Sequence, residues 1–228
     1  MELFSEVMLN LSRGFIATLS LFLLTLVLSV PLGLLTSFLT MSRVKPISYT
    51  AKVIVWILRG TPLMLQIFAI FYLPGLLFDF TWPRLALGSA WLNRIFSERF
   101  IAALVAFVIN YAAYFSEIFR GGIQSISQGQ YEAGQVLGMS RFDTFKNVIL
   151  VQVIKRIIPS MSNEIITLVK DTSLANTIIV CELIYEAKDF MSEGLIWPLF
   201  AAGGFYLIFV GILTVLLGKL EARLNYFR

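Results

Sequence analysis

Residues 14–42 read GFIATLSLFLLTLVLSVPLGLLTSFLTMS and contain no Asp, Glu, Lys or Arg. A helix that crosses the hydrocarbon core of a bilayer needs about 20 consecutive apolar residues. This run exceeds that length, and in water nothing would cover its apolar surface. The segment therefore predicts a membrane span and sets the solvent for the rest of the chain.

Outward from this span the same logic repeats. Residues 60–78 are a second uncharged run, which 53–58 extends backwards across Arg59 into a span over 53–78. A third span covers 100–120, uncharged up to Glu117, and the last covers 194–218. Residues 148–169 are apolar but contain Lys155, Arg156, Pro159 and Glu164. Lipid would penalise those side chains, whereas a protein-lined interior tolerates them, so this segment reads as a broken fourth span. Residues 172–181 are too short to cross and read as a re-entrant or surface-lying piece. The expectation is an all-α integral membrane protein of about five transmembrane helices, forming one transmembrane domain over 1–228.

The whole composition agrees. Of 228 residues, 58% are hydrophobic and 14% charged, and mean hydropathy is +0.82, whereas soluble domains carry about 25% charged residues. The net charge of +4 comes with no basic cluster or aromatic-interleaved stripe, so nucleic acid is not an expected partner. With no His and Cys181 alone, zinc sites, disulfides and His-based catalysis are excluded.

Loop charge sets orientation. Around 43–52, 120–156 and 219–228 lie 11 Lys and Arg, against 6 on the opposite side with Arg59 unassigned. The richer side is expected to be cytoplasmic, which puts the N-terminus outside. Residues 1–13 space Leu3, Phe4, Val7, Met8 and Leu11 on one helical face and read as an external interfacial helix. Glu2 and Glu6 precede the first Arg, unlike the basic start of a signal peptide. Residues 79–99, with Trp82, Pro83 and Trp91, read as an external hairpin near which a partner docks.

The long polar connection 121–147 lies on the cytoplasmic side, and long loops in compact proteins are usually functional. Within it, Tyr131 to Leu137 reads as a short helix closed by Gly138, and Ser140 as the N-cap of a second helix with Asp143 at its third position. The pair makes a compact knob.

Glu132-Ala133-Gly134, then Gly138, then Ile158-Pro159 resembles the EAA loop of ABC importer permeases, where a coupling helix sits in a groove of the ATPase. Arg59-Gly60-Thr61-Pro62, the stretch Tyr114-Phe115-Ser116-Glu117-Ile118-Phe119-Arg120-Gly121-Gly122, and Lys170-Asp171-Thr172-Ser173-Leu174 resemble the polar amino-acid subfamily. The resemblance implies a type I permease fold without cofactor of its own. It implies an ABC ATPase partner that carries ATP and Mg, an identical or similar second permease, an extracytoplasmic amino-acid binding protein, a polar amino-acid substrate and a bacterial inner membrane. Coupling would fall to Glu132, Ala133, Gly134, Gly138 and Arg141. Gly134 stands where the family has Ala, a change expected to affect only helix stability, by about 1 kcal/mol. The absence of a GxxxxGK[ST] phosphate loop independently places ATP hydrolysis elsewhere.

Asn110, Tyr114 and Glu117 share a helical face at spacings of four and three, and could line a polar cavity. With Asp171 and Ser173 at the end of the fourth span they form the candidate substrate site. Each has a structural alternative: Glu117 can pair with Arg120 at i+3, and Asp171 can pair with Lys170 or cap a helix. Glu164 reads as structural. Arg59 reads as an anchor to headgroups or a protein carboxylate, with a substrate carboxylate as the alternative. An ion-driven secondary transporter using Glu117 and Asp171 is the rival function, although no inverted repeat accompanies it. A membrane enzyme would need a nucleophile with a base, and none is evident.

Overall fold

A computed structural model describes residues 2–84 and 88–224, so residues 85–87 of the hairpin and Arg228 of the charge count lie outside the described residues. Among the described residues every regular element is helical. Helix α1 (Glu2–Thr40) is followed by α2 (Lys45–Gly60), α3 (Leu63–Phe78), the short α4 (Ala90–Ile95) and α5 (Glu98–Gln124). Then come α6 (Gln128–Val136), α7 (Arg141–Thr144), a π-turn (Phe145–Ile149), α8 (Leu150–Asp171), a 3-10 helix (Thr172–Ile178), α9 (Leu183–Ser192) and α10 (Trp197–Leu224).

Helices α1, α5 and α10 are each long and apolar enough to cross a membrane, and the α2–α3 pair qualifies when taken together. Helix α8 is of spanning length at 22 residues; its charges, which include Lys155, Arg156 and Glu164, set it apart from the other three. Helix α5 is the centre of the bundle: Phe100, Phe107, Tyr111 and Phe115 are at most 2% exposed and pack with Leu21 and Phe22 of α1, Ile67 of α3 and Leu168 of α8. Helix α10, by contrast, shows Phe200, Leu207, Ile208 and Val215 to the outside, a surface that only an apolar medium or partner accommodates.

Three sequence expectations change. Residues 53–78 are not one continuous helix, because the chain bends by 108° between α2 and α3. Pro62 forces the preceding residue out of the helical region, and Thr61 is extended with φ −114° and ψ 143°. Helix α8 is not broken at Pro159, which lies inside it. The missing N–H costs one helical bond, and the 12 further residues through Asp171 keep the helix going. Residues 2–13 do not form a separate helix. They are the first turns of α1, and Val7 and Leu11 are fully buried against Leu183, Ala187 and Phe190 of α9, so packing overrides the amphipathic pattern.

Candidate functional site

The knob takes its shape from local sequence. Helix α6 ends in a six-to-one bond from the Met139 N–H to the Gly134 carbonyl at 3.0 Å, with the Gly138 N–H donating to Gln135 at 3.0 Å. This Schellman geometry needs a left-handed residue at Gly138, whose φ is +72°. Ser140 then caps α7, its hydroxyl accepting from the Asp143 N–H at 3.1 Å. Gly134 is the joint between the two helices. A methyl there would stand 2.5 Å from Thr144 Oγ1 and 2.6 Å from its Cγ2, so the expectation that Ala would differ only in helix propensity is corrected.

The knob is fixed to the bundle from below. Ile126 packs on Ile149, Val153 and Ile157, Gln152 donates to Gln130 at 3.0 Å, and the Arg156 guanidinium donates to the Ser125 carbonyl. Its far surface is apolar where a polar loop should not be: Val136 is 87% exposed, Leu137 77% and Phe142 70%. Of the residues expected to couple, Glu132, Ala133, Gly138 and Arg141 are exposed beside them, while Gly134 is buried. The three apolar tips were missed by sequence reasoning, although an apolar pair and a Phe in a polar loop were the available signal.

On the inner face of the bundle a polar groove runs alongside α5 and α8. One lobe, of about 510 Å³, is lined by Thr61, Asn110, Tyr111, Tyr114, Glu164, Thr167 and Asp171. The other, of about 480 Å³, continues toward the knob past Glu117, Ser160 and Arg156 to Ser125. Arg59, Tyr114 and Glu164 line both, so the lobes form one passage.

Each side chain is held by a specific partner. Tyr111 donates its hydroxyl to Asp171 Oδ2 at 2.7 Å. Asn110 donates to Gln66 Oε1 at 3.0 Å, and Gln66 in turn donates to the Leu58 carbonyl at 2.7 Å and to Thr61 Oγ1 at 2.8 Å. These bonds satisfy backbone groups that the α2–α3 bend leaves without helical partners. Glu117 accepts a fork from Arg120 at 2.9 and 2.5 Å and faces Arg59 at 3.5 Å, whose guanidinium lies 5.2 Å over the Tyr114 ring. Among the described residues, Asp171 and Glu164 have no ion-pair partner within 4 Å.

The groove thus brings together Asn110, Tyr114, Glu117 and Asp171. Ser173 is not with them: it lines a different cavity with Lys170, Asn176 and Lys188, and its hydroxyl donates to the Lys170 carbonyl. The 3-10 geometry turns it away from Asp171. Gln66 and Tyr111 were missed, although Tyr111 sits three residues before Tyr114 and was open to the same spacing argument. Among the described residues no three His, Cys, Asp or Glu converge as a metal site.

A bundle of apolar helices split by a polar groove, with a stiff apolar-tipped knob on a helix that lines it, defines the membrane subunit of a transport system. Residues 29–225 match the family described as "Binding-protein-dependent transport system inner membrane component", and the chain belongs to that family as a multi-pass membrane permease subunit. It is 36% identical to the L-cystine transport system permease protein TcyB of Bacillus subtilis, over 94% of this chain and 86% of that one. It is 33% identical to the arginine ABC transporter permease protein ArtM of Haemophilus influenzae, over 99% and 96%. Among solved structures, an amino acid ABC transporter crystallised with histidines superposes with a TM-score of 0.82 at 29% identity, covering 96% of each chain. The MetNI methionine transporter superposes with a TM-score of 0.69 at 13% identity, which shares the fold. The architecture is that of a type I ABC importer permease.

Proposed function

We propose that this chain forms the translocation path of an ATP-driven importer for a polar amino acid, with hydrolysis on a separate ABC ATPase that carries ATP and Mg. The observation that carries this reading is the direct continuation of the knob into α8, which ends at Asp171 in the groove. A partner pressed on the exposed Val136, Leu137 and Phe142 would move the residue that faces the cargo. Apolar side chains exposed on a polar loop mark a protein-docking surface. The knob side, rich in Lys and Arg, faces the cytoplasm, and α9 faces outward.

Glu132, Ala133, Gly138 and Arg141 surround that docking surface, while Gly134 shapes it from within. Substrate contact falls to Asp171, Glu164, Tyr114 and Arg59, which offer two carboxylates, a phenol and a guanidinium to a zwitterion. Asn110 and Glu117 act by holding the groove wall. The relatives named for L-cystine and arginine transport support an amino acid as cargo. A second permease closes the open side of the groove, and an extracytoplasmic binding protein delivers the cargo.

The test is to purify the tagged chain from its host in mild detergent and identify what accompanies it. An ATPase that co-purifies, and is lost with Glu132→Arg, supports the reading. Asp171→Asn is expected to keep that complex and lose uptake. A chain that purifies alone yet carries amino acids in liposomes under an ion gradient would overturn it.

A further inference from the structure

We propose that Arg94 and Glu186 form an outer latch, a pair of positioning residues that sets how readily the passage opens on the α9 side. The inference rests on the importer reading above and concerns a part of the chain to which that reading gives no task.

The groove runs from Ser125 up to Asp171 and Leu174, the latter also bordering the cavity at Lys170 and Lys188, and behind Asp171 the chain is tightly packed. Thr172, Ala175 and Ile178 of the 3-10 helix, then Val180 and Leu183, are 0–1% exposed. They form a plug between the groove and the α9 side. The plug is fastened through α9. Glu182 caps its first turn, accepting from the Ile184 and Tyr185 N–H groups at 2.8 Å each, and the Leu183 N–H donates to Thr18 of α1 at 3.2 Å.

One turn on, the Glu186 carboxylate is nearly buried, with 8% of its side chain exposed, and meets Arg94 of α4 at 3.0 Å. Gly14 presses from the other side: a methyl there would lie 2.9 Å from Glu186 Cγ. The α4 segment is itself anchored, Ile95 being 2% exposed and Trp91 and Phe96 packing on the same core. The ion pair therefore ties the α9 end of the plug to the wall that α4 makes. Alternating access requires the plug to leave that wall, and a buried carboxylate that loses its cation is driven toward water.

This asymmetry makes the latch testable. Removing Arg94 alone leaves a buried charge with only the more distant Arg13 to offset it and favours opening, whereas removing both charges does not. Cys181, the single cysteine, adjoins Arg94 and serves as reporter. In the intact complex in liposomes, its labelling by a membrane-impermeant maleimide is expected to speed up about fivefold in Arg94→Ala. It should speed up markedly less in Arg94→Ala/Glu186→Gln, and return to the native rate in the charge swap Arg94→Glu/Glu186→Arg.

Loss of the guanidinium uncovers the thiol equally in the single and double variants. Equal rates in those two, or a single variant as slow as native, would overturn the latch. Should Arg94→Ala fail to assemble, Arg94→Lys takes its place, with a smaller rise expected and a native rate counting against the proposal. ATP hydrolysis measured alongside separates the two levels: a native complex that never responds to a binding protein refutes the importer reading, while the labelling cycle still decides the latch.

Discussion

Replacing Gly134 by Ala should weaken the knob even though Ala is the better helix former. Ala gains about 1 kcal/mol of intrinsic helix propensity over Gly. Against that, the new methyl would lie 2.5 Å from Thr144 Oγ1, 2.6 Å from Cγ2 and 3.1 Å from Cβ. Rotating Thr144 does not relieve the contact with Cβ, and its hydroxyl is already committed to the Ser140 carbonyl at 3.0 Å. Overpacking of this kind costs about 1–3 kcal/mol, so the net loss is about 1 kcal/mol, or about fivefold in the local opening equilibrium. Hydrogen exchange over residues 128–144 reads that change directly, and affinity for the ATPase should fall with it. In a Thr144→Ala background most of the clash is gone, and Gly134→Ala should become neutral or stabilising. Gly134→Ala that raises protection in the native background, or costs the same in both, would refute the steric reasoning.

Gln66→Leu keeps the side-chain volume but removes the donor to Leu58 and Thr61 and the acceptor of the buried Asn110, which is left with only its long bond to the Leu58 carbonyl at 3.4 Å. A loss of about 2 kcal/mol is expected, read as a lower melting temperature in detergent, and an unchanged value would remove the network from the account. The buried Glu182 carboxyl, by burial, is pushed up to about 8. Between the ordinary carboxyl range and that value the folded chain holds a proton that the unfolded chain has released. Stability is therefore full below about pH 4.5 and lost as pH rises through about 8, and Glu182→Gln should flatten that part of the melting-temperature profile.

The apolar spans were legible because lipid imposes a simple requirement, an uncharged run of sufficient length, and α1, α5 and α10 meet it within continuous sequence. The knob was legible for a similar reason: Gly138 and Ser140 act on neighbours within a few residues. What escaped depends on distant partners. Arg59 finds Glu117 across the α2–α5 contact, and Gln66 finds Asn110, pairs that no local spacing encodes. The bend at Thr61–Pro62 escaped because a proline marks a break and not its angle, which bonds from Gln66 to Leu58 and Thr61 help to fix. Pro159 misled because proline reports a lost hydrogen bond and not whether the surrounding turns hold. Ser173 misled because a 3-10 helix rotates side chains by a different step than the α-helix before it.

Gly122 has no side chain, and this gives α8 a mechanical property. A methyl there would collide with Ile157, so α5 and α8 pack backbone to side chain here, reinforced one turn away by Arg156 on Ser125, and they meet again where Tyr111 bonds Asp171. From Ile157 back to Leu150 is about 10 Å of helix, and forward to Asp171 about 21 Å. A rod pivoted there is a lever with unequal arms. Were the rod to turn on that contact, its groove arm would sweep about twice as far as its knob arm, and the Tyr111 bond to Asp171 would have to break for it to do so.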